Sequence, residues 1–543
     1  PLPNKIAVMN KSFTLASSSS SSSSTPVGLA HTYGTSTDQQ HSHPNASPTS
    51  VIGQIMPSSS SSSHHRRDDS LQGFVLEGNE PQVEGKSTTY TATSNKRKSC
   101  GGDNEAVDEE WVCPISAKAR RTKSGVQDAI RPIASKIQMG FQRIDRKDPI
   151  SLASADSSLA HIPPCTKAME AVVKATLYKP HGAGYTHHCG SVEARRAVAL
   201  HHSSPEYQLG PDHVIVTNGC SGALDLILET LLDEGSTLLV PNPGFPLYQE
   251  LAEKHGAKAA QYRLDPNKRW ECDLLHLEEI MSSAKDVRAL VINNPSSPTG
   301  SVFSERHLEQ ILSFAFRHRL PIVTDEVYGT LTFGTNQFHP MAQIAARYGR
   351  QVPIISASGL SKQFMVPGWR VGWLTFQDNT RGSLRHVEQA AQRLMQLQHG
   401  VNQLAQAAIA PLLSATTPGL AAWKEKVRST LERQGMLLCS GLNDVHCLKI
   451  APAQGAMYAI CHIHLDKLNS STIRDDIEFA SKLVEEENVF VLPGSTFGVP
   501  GTFRVAYSAS EQTLEEATNR IANFCQRHSR VHYNESYGFP NYQ

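Results

Sequence analysis

Two basic residues stand eight positions apart in a stretch of mainly small and apolar residues, SASGLSKQFMVPGWRVGW at 356–373. Lys362, held among such neighbours, can lose its proton and attack an aldehyde as an amine nucleophile. Arg370 is always charged, and its forked guanidinium suits a phosphate. An aldehyde and a phosphate on one small molecule describe pyridoxal 5′-phosphate (PLP). Taken alone, the stretch favours a surface lysine with a loosely placed arginine, so the prediction depends on the residues that precede it.

Small and aromatic residues follow two earlier runs of apolar, β-branched residues. The run HVIVT leads into Asn-Gly-Cys-Ser-Gly at 218–222, where free backbone N–H groups at the start of a helix would favour a phosphate. The run TLLV leads into a proline-rich turn that would present Phe245 flat against an aromatic ring. An ordinary strand–helix turn and a core phenylalanine explain these two segments equally well.

An acid and a tyrosine follow a later run, PIVT. Asp325 comes directly after this run, so its carboxylate would be partly buried and would need a cationic partner. A pyridinium nitrogen is one such partner, and stabilising it makes the ring a stronger electron sink. Tyr328, three residues later, would reach the ring oxygen. An acidic helix cap with a core tyrosine is the alternative, but the order of all these residues at successive strand ends is hard to obtain by chance.

Short buried strands alternate with helical patterns such as Gly222–Leu232 and Ser304–Phe316. This alternation predicts an α/β fold with a mostly parallel sheet covered on both faces, and ligands gather at the carboxyl ends of such strands. From residue 417 onward, a long helical stretch, short strands and a final helix predict a smaller α+β domain. The predicted strands of the large sheet are His213–Thr217, Thr237–Val240, Ala289–Ile292, Pro321–Thr324 and Pro353–Ser356.

Five segments are predicted along the chain. Serine homopolymers and few apolar groups predict disorder near the N-terminus, because such a segment buries too little surface to offset its ordering entropy. The predicted segments are a disordered low-complexity region at 1–125, the N-terminal part of the small domain at 126–160, a large cofactor-binding domain at 161–416, the small C-terminal domain at 417–528 and a polar tail at 529–543.

The composition of the 543 residues excludes some partners. Lysine plus arginine equals aspartate plus glutamate at 51 each, so no overall charge favours nucleic acid or an anionic membrane. The ten cysteines lack CxxC pairs and ligand-like Cys/His spacing, so reduced intracellular thiols are expected and no metal site is expected. No apolar run approaches a membrane span. A cytoplasmic location is expected; a mitochondrion or plastid stays open because the serine-rich first 37 residues contain no acid.

The residues from about Ile130 to His528 resemble the fold-type I, class I aminotransferases, and among them most closely the tyrosine aminotransferases. The resemblance covers most of the globular region and none of the first 120 residues. It implies a large domain with a mostly parallel central sheet plus a smaller α+β domain. Six motifs match in order: GCSGALDL (219–226), VPNPGFPLYQELAE (240–253), NNPSSPTGSVFSERHLEQIL (293–312), TDEVYG (324–329), GLSKQFMVPGWRVGW (359–373) and GAMY (455–458).

The resemblance implies roles for the residues around the cofactor ring. Lys362 matches the lysine that binds PLP covalently and later moves the substrate Cα proton. Asp325 matches the partner of the pyridine nitrogen, and Tyr328 matches the hydrogen bond to the ring hydroxyl. Phe245 matches the aromatic residue that stacks on the ring. These assignments make Lys362, Asp325 and Tyr328 the expected catalytic residues.

The resemblance also implies contacts to the phosphate and to the substrate. Cys220, Ser221 and Arg370 match phosphate contacts. Tyr185 matches a tyrosine that reaches the phosphate of the neighbouring subunit, which implies a homodimer with shared active sites. Arg504 matches the arginine that clamps the substrate α-carboxylate in a bidentate pair.

Three segments depart from the family pattern. Ser297 stands where an asparagine usually bonds the ring hydroxyl, and it is expected to serve as a shorter cofactor contact. The usual Gly-Asp-Pro near the substrate carboxylate is Ala-Asp-Ser at 155–157, and the usual Asn-Pro-Ile-Arg turn is Arg-Pro-Ile-Ala at 131–134. Loss of one neutral hydrogen bond at Ser297 costs about 0.5–1.5 kcal/mol, too little to abolish catalysis.

The expected activity is PLP-dependent transfer of the amino group of an aromatic amino acid, tyrosine first, to 2-oxoglutarate. Its partners are the amino acid, the 2-oxo acid and a second copy of the chain, with no nucleic acid and no membrane. Two alternatives stay open. One is another PLP enzyme on the same scaffold, such as a carbon–sulfur lyase or an aminocyclopropane carboxylate synthase, and the other is a weakly catalytic PLP-binding protein in regulation or assembly.

Overall fold

The computed structural model describes residues 116–122, 147–153, 165–178, 184–380 and 382–530. The described residues belong to one compact unit of the chain, 67–543. Most of the predicted disordered segment and of the polar tail lies outside the described residues, as do the departures at 131–134 and 155–157. The predicted domain boundaries stay predictions.

The strands fall into one large sheet, one small sheet and one isolated pair. In chain order they are β1 (Ile150–Ser151), β2 (Val214–Asn218), β3 (Thr237–Asn242), β4 (Lys258–Asp265), β5 (Glu271–Cys272), β6 (Val287–Asn293), β7 (Ile322–Asp325), β8 (Ile354–Gly359), β9 (Val371–Gln377), β10 (Leu448–Ile450), β11 (Tyr458–Ile463), β12 (Val489–Phe490), β13 (Leu492–Pro493) and β14 (Thr502–Ala506).

The large sheet has eight strands in the order β2-β9-β8-β7-β6-β3-β4-β5. The five strands β8, β7, β6, β3 and β4 are mutually parallel, whereas β9 is antiparallel to both of its neighbours and β5 is antiparallel to β4. The predicted mostly parallel sheet is therefore confirmed. All five predicted strands of this sheet exist, and no bound is shifted by more than three residues. Strands buried on both faces read as continuous apolar runs, which is why they could be found.

Strands β4, β5 and β9 of this sheet were not predicted. Strand β4 has the sequence KAAQYRLD with only Tyr262 and Leu264 buried, as befits a strand near the sheet edge. Strand β9 is fully buried but begins Val-Gly-Trp, directly after the two basic residues that drew attention to the stretch. This segment does not read as a strand in the sequence, because glycine is depleted in strands and a turn directly precedes it.

The helices pack against the sheets. The side chains of Ser191, Ser304 and Ser510 each accept a hydrogen bond from a backbone amide in the first turn of the helix that follows. Helix bounds in chain order are α1 (Ala117–Arg121), α2 (Thr166–Tyr178), α3 (Val192–His202), α4 (Gly219–Leu231), α5 (Leu247–Lys254), α6 (Leu274–Ser283), α7 (Glu305–His318), α8 (Met341–Arg347), α9 (Leu360–Gln363), α10 (Arg385–Leu397), α11 (Gln403–Gln406), α12 (Ile409–Leu413), α13 (Leu420–Asn443), α14 (Asp476–Glu487) and α15 (Glu511–Arg527).

The second sheet has four antiparallel strands in the order β10-β11-β14-β13. The long helix predicted after residue 417 is α13, and the final helix is α15; the two helices pack together. Strand β1 pairs with β12, and the amide of Ala506 donates to the carbonyl of Leu152 over 2.7 Å. This last contact places the described segment 147–153 beside the C-terminal strands. None of the described helices combines the length and apolarity needed to cross a membrane.

Candidate active site

The sheet topology brings the segment around Lys362 beside the segment around Cys220. Strand β9 lies between β2 and β8 and runs opposite to them, with Val371 opposite Asn218 and Gly372 opposite Gly359. The residues just before β9 therefore return to the carboxyl ends of β2 and β8. A cavity of about 240 Å³ opens there. Eight of the predicted residues line it: Cys220, Ser221, Phe245, Ser297, Asp325, Tyr328, Lys362 and Arg370.

One end of this cavity is suited to an anion. Helix α4 begins at Gly219, three residues before the predicted start, and its first-turn amides have no side-chain cap from Asn218 and no acidic neighbour in the first turn. Arg370 reaches the same turn, where Nη2 donates to the carbonyl of Asn218 over 3.4 Å. Unpaired amides at a helix N-terminus together with an arginine form a phosphate site.

Two glycines make this approach possible. Gly219 has a φ of 73°, and a Cβ there would lie 2.6 Å from Nη2 of Arg370. A Cβ at Gly372 would lie 2.5 Å from the amide nitrogen of Cys220. Any larger residue at either position would push the arginine or strand β9 away from the helix N-terminus, so the cradle requires glycine at both.

Asp325 also lines the cavity and is 4% exposed. Its Oδ2 accepts a 2.7 Å hydrogen bond from the phenol of Tyr248, and its Oδ1 accepts from Cys220 Sγ at 3.4 Å and from the amide of Val327 at 3.2 Å. Burial raises the pKa of Asp325 above its ordinary value, and the three hydrogen bonds act against that rise. Among the described residues no cationic side chain pairs with this carboxylate.

The Cys220 side chain lies on the Asp325 side of the first turn of α4. It faces Asp325 rather than the open helix terminus, and burial together with the Asp325 charge raises the pKa of its thiol well above the ordinary value. Its backbone amide still lies in the first turn of α4. The phosphate contact predicted for Cys220 is therefore available from its N–H, while Ser221 and Arg370 offer side chains.

Lys362 lines the same cavity as Asp325 and lies beside a pair of tyrosines. It sits in the single turn of α9, directly after β8, and it is hydrogen-bonded to the phenol of Tyr458. Tyr458 also bonds Tyr328, with the two ring centroids 6.0 Å apart and nearly perpendicular. Burial opposes ionisation of Tyr458, but the charges of Lys362 and Arg504 outweigh it and lower the pKa of that phenol. The lysine amine is therefore held in place by a tyrosine that the sequence did not single out.

Arg504 lies beside the cavity on strand β14 and is 6% exposed. Its guanidinium packs over the rings of Tyr458 and Phe497, at 4.1 and 4.6 Å from their centroids. Its Nη2 donates to the carbonyl of Ala153 over 2.6 Å, whereas its buried Nε has no hydrogen-bond partner among the described residues. No carboxylate among them pairs with it either. A buried guanidinium with an unused donor fits a carboxylate ligand.

Ser297 and Asn293 line the middle of the cavity. The amide of Ser297 donates to Asn293 Oδ1 over 2.7 Å, and Asn293 Nδ2 donates to the carbonyl of Asp325 over 3.1 Å. Both ends of the Asn293 side-chain amide therefore bond the protein backbone, one in the turn and one at the end of β7. It does not replace the asparagine that the family usually has at position 297.

Tyr185 lies apart from the other predicted residues. Its side chain is 93% exposed and lines a separate surface cavity with two histidines of its own segment, His187 and His188, and with His399. Within one chain it therefore contributes nothing to the cavity at Lys362. Its predicted contact with the phosphate of a neighbouring subunit stays a prediction.

Two residues at the site were missed by reasoning from single residues: Tyr248, which bonds Asp325, and Tyr458, which bonds Lys362. Both lie inside the motifs quoted above, Tyr248 at the end of FPLY and Tyr458 at the end of GAMY. The motifs were the only available signal, because a buried tyrosine hydroxyl does not reveal its partner from its position in the sequence.

The arrangement fits PLP at three points. The uncapped turn of α4 with Arg370 suits the phosphate. The carboxylate of Asp325, which pairs with no cation in the described part of the chain, suits a protonated pyridine nitrogen. Lys362 lines the same cavity and suits the aldehyde carbon. Phe245 lines the same cavity and is partly buried. A carboxylate buried without a cation is costly, and a bound cationic ring nitrogen removes that cost.

The ionisation of Glu326, the neighbour of Asp325, is expected to make the stability of the fold depend on pH. Burial raises its pKa from 4.5 to about 7, against hydrogen bonds from the Met341 amide and the Thr324 hydroxyl. A raised folded-state pKa means that this group's contribution to stability is present below pH 4.5 and is lost as the pH rises toward 7. Replacing Glu326 by glutamine removes that loss and keeps the Oε1 acceptor. We expect the free energy of unfolding of the variant, minus that of the parent, to rise by about 3 kcal/mol from pH 4.5 to 7 and then level off.

Urea unfolding of both proteins at several pH values measures this difference. The other carboxylates contribute equally to the free energy of unfolding of both proteins, so their contributions cancel in the difference. A difference that is flat across this range would contradict the assignment of a raised pKa to Glu326.

Comparison with known proteins gives a consistent result. A family profile described as aminotransferase class I and II matches residues 147–521. A tyrosine aminotransferase of Homo sapiens is 34% identical over 436 residues, which span 80% of this chain and 91% of that protein. An S-alkyl-thiohydroximate lyase of Arabidopsis thaliana is 31% identical over 372 residues, 67% of this chain and 77% of that protein.

A solved structure supports the fold. The crystal structure of tyrosine aminotransferase from Leishmania infantum superposes with a TM-score of 0.68 at 29% identity, covering 77% of this chain and all of that one. The profile covers well over half of the chain and includes every residue that lines the cavity at Lys362.

Proposed function

The chain belongs to the aminotransferase class I and II family, whose members are generally PLP-dependent, and from this premise we propose that it transfers the amino group of tyrosine or another aromatic amino acid to 2-oxoglutarate with PLP as cofactor. One observation carries the proposal. Among the described residues, the buried Asp325 carboxylate pairs with no cation and the buried Arg504 guanidinium pairs with no carboxylate. Both groups act on the Tyr328–Tyr458 pair, of which Tyr458 bonds Lys362.

Each residue has a defined task in this proposal. Bound PLP supplies an electron sink for the charge that develops when the substrate Cα loses its proton. Asp325 would hold a proton on the ring nitrogen, and Tyr248 holds Asp325 in position. Lys362 Nζ would hold the cofactor at its aldehyde carbon; once the substrate amine has displaced it, the free lysine amine would take the Cα proton as a general base and return it. Tyr328 would donate a hydrogen bond to the ring hydroxyl.

Binding of the substrate is assigned to Arg504. Its fork would hold the α-carboxylate in a bidentate pair, which fixes the Cα–H bond relative to Lys362. The flanking rings of Tyr458 and Phe497 exclude water from this contact and so strengthen it. Tyrosine as the donor rests on the names of the Homo sapiens and Leishmania infantum proteins, and 2-oxoglutarate as the acceptor rests on the family resemblance.

We also propose that the active form is a homodimer. The support is Tyr185, a large aromatic side chain that is 93% exposed in a single chain. In a dimer it would contact the phosphate bound at the partner's Lys362 site. Sedimentation of the purified protein with PLP would show a dimer on this proposal, and a monomer with full activity would contradict it.

A half-reaction tests the transferase directly. The purified protein with PLP is mixed with L-tyrosine, and the absorption of lysine-bound PLP is followed as it converts to the pyridoxamine form. Addition of 2-oxoglutarate should restore the original spectrum. Conversion by alanine or aspartate but not by aromatic amino acids would move the substrate assignment. Bound PLP with no conversion by any amino acid would support the weakly catalytic regulatory or assembly protein instead.

A carbon–sulfur lyase is the second candidate, favoured by the similarity to the Arabidopsis thaliana lyase. Such an enzyme would use the same lysine and aspartate but would need no 2-oxo acid. The protein is incubated with a cysteine S-conjugate without 2-oxo acid, and released thiol is measured. Sustained thiol release over many turnovers would favour the lyase, whereas none is expected for the transferase.

Arg504→Lys is expected to raise KM for the amino acid and lower kcat/KM by about 10²–10³-fold, because lysine cannot form the bidentate pair. PLP binding should change little. The matched control is Arg520→Lys: Arg520 is also 6% exposed and also donates to a backbone carbonyl, that of Asp148, but it lies away from the cavity. If both variants lower kcat/KM equally, the effect is a loss of folding and Arg504 is not the carboxylate ligand.

A further inference from the structure

Three consecutive residues, His187, His188 and Cys189, place two imidazoles and a thiol close together. One ligand atom from each lies within 4.8 Å of the other two. The chain turns sharply here before helix α3: the amide of Gly190 donates to the carbonyl of His187 over 2.8 Å, and Gly190 has a φ of 102°. The two imidazole rings stack with their centroids 4.1 Å apart. This turn explains why the sequence, read by ligand spacing, predicted no metal site.

We propose that His187, His188 and Cys189 bind a thiophilic divalent cation of the Zn²⁺ class. Imidazole nitrogen and thiolate sulfur are the ligands that zinc prefers, and three protein ligands suffice when a fourth position is filled by water or another side chain. Tetrahedral zinc with these ligands needs atom separations of about 3.4–3.6 Å. The three atoms lie within 4.8 Å of one another, so binding would require side-chain rotations that bring them closer by about 1 Å.

The tautomer of His187 favours this site. Its Nδ1 accepts a 3.2 Å hydrogen bond from the amide of Cys189, so its lone pair already points toward residue 189. A bound cation would take this lone pair in place of the hydrogen bond. That exchange gives up one ordinary hydrogen bond, which is much weaker than the binding of a structural zinc ion. Cys189 binds as the thiolate, so its proton is released to solvent on binding.

The surroundings leave room for a fourth ligand. The same surface cavity is lined by His399 and Gln396, and a Cβ on Gly400 would lie 3.3 Å from the Cα of His188. Arg195, whose charge acts on His187, donates to the carbonyl of Gly190 over 3.2 Å and is paired with Asp212 at 3.1 Å. Because Asp212 neutralises the charge of Arg195, this arginine would repel a bound cation only weakly. Because Tyr185 lies in the same segment, an occupied site would also hold that tyrosine in place.

Cobalt substitution tests the proposal on the full chain with PLP bound. The chain has 24 histidines, and isolated imidazoles bind metals weakly, so the test needs a signal specific for tetrahedral geometry, and the variant of Cys189 tests the thiolate. Tetrahedral Co²⁺ with a sulfur ligand absorbs strongly in the red, where PLP does not. We expect one equivalent of Co²⁺ per chain to give these bands, Zn²⁺ to abolish them stoichiometrically, and proton release to accompany binding.

Variants separate this site from background binding. Cys189→Ser should remove the red bands, and His188→Gln should raise Kd at least about tenfold, since loss of a mere ligand-orienting residue already costs 10–100-fold. The matched control is His462→Gln, because His462 and His464 also have adjacent rings, 5.2 Å apart, but no thiol in the cluster. Circular dichroism checks the fold of each variant. Only octahedral cobalt spectra, or red bands that survive in a folded Cys189→Ser variant, would overturn the proposal.

Discussion

Replacing Lys362 by alanine is expected to lower kcat by at least about 10³-fold and to leave PLP without a covalent bond to the protein. A positioned general base alone contributes about 10²–10⁴-fold, and Lys362 is assigned both this task and the covalent attachment of the cofactor. Borohydride treatment followed by mass measurement should add the mass of PLP to the parent protein and not to the variant. The single-turnover rate with L-tyrosine gives the loss of activity.

Lys254→Gln is the control for this experiment. Lys254 is also partly buried, but it pairs with Asp225 at 2.7 Å and does not line the cavity. Its replacement should cost at most about 1 kcal/mol of stability and leave labelling and rate near those of the parent. A Lys362→Ala variant that is still labelled after borohydride treatment would refute the assignment of Lys362, whatever its activity.

Asp325→Asn is expected to lower kcat by about 10²–10³-fold while PLP remains attached to Lys362. An asparagine keeps the size of the side chain but cannot hold a positive ring nitrogen, so the charge that develops at Cα is stabilised less. The absorption of the bound cofactor should also change its dependence on pH, because the proton on the ring nitrogen is no longer held. Spectral titration and single-turnover rates measure the two effects.

Glu326→Gln is the matched control, since Glu326 is the adjacent residue and is equally buried but does not line the cavity. It should alter the pH dependence of stability, as described above, and leave the half-reaction nearly unchanged. Tyr248→Phe is expected to give an intermediate result, because it removes one hydrogen bond to Asp325 and keeps the charge. Equal losses in Asp325→Asn and Glu326→Gln would show that burial of a charge near β7, rather than the ring-nitrogen contact, produces the effect.

Much of the fold was predictable because the parallel strands are buried on both faces. Runs such as the one before Asp325 are continuously apolar, and the polar residue that ends each run marks the carboxyl end of a strand. Strand β9 was not predictable in this way. Only the sheet order shows that β9 lies between β2 and β8 and runs antiparallel to both. Because of this insertion, Arg370 lies beside Gly219 although about 150 residues separate them.

The side-chain partners within the site were less predictable. The bond from Tyr248 to Asp325 spans 77 residues, and the bond from Arg504 to Ala153 spans 351. Contacts between residues so far apart along the chain leave no periodic pattern in the sequence, because they depend on how the sheets pack. The motif resemblance predicted contacts for Arg504 and Cys220, and these stay predictions; that the Cys220 thiol bonds Asp325 is visible only in the tertiary structure.

The sequence by itself determined the strand-end residues around Lys362, their order along the chain and the family to which they belong, since these depend on local composition and on motifs of a few residues. Only the tertiary structure decided which side chains pair and which charges are left uncompensated. It showed that Tyr458 holds Lys362, that Asp325 and Arg504 lack counter-charges among the described residues, and that three consecutive residues at 187–189 converge on one point. The physical reason is that pairing depends on distances across the fold, and the order of strands in the sheet differs from their order in the chain.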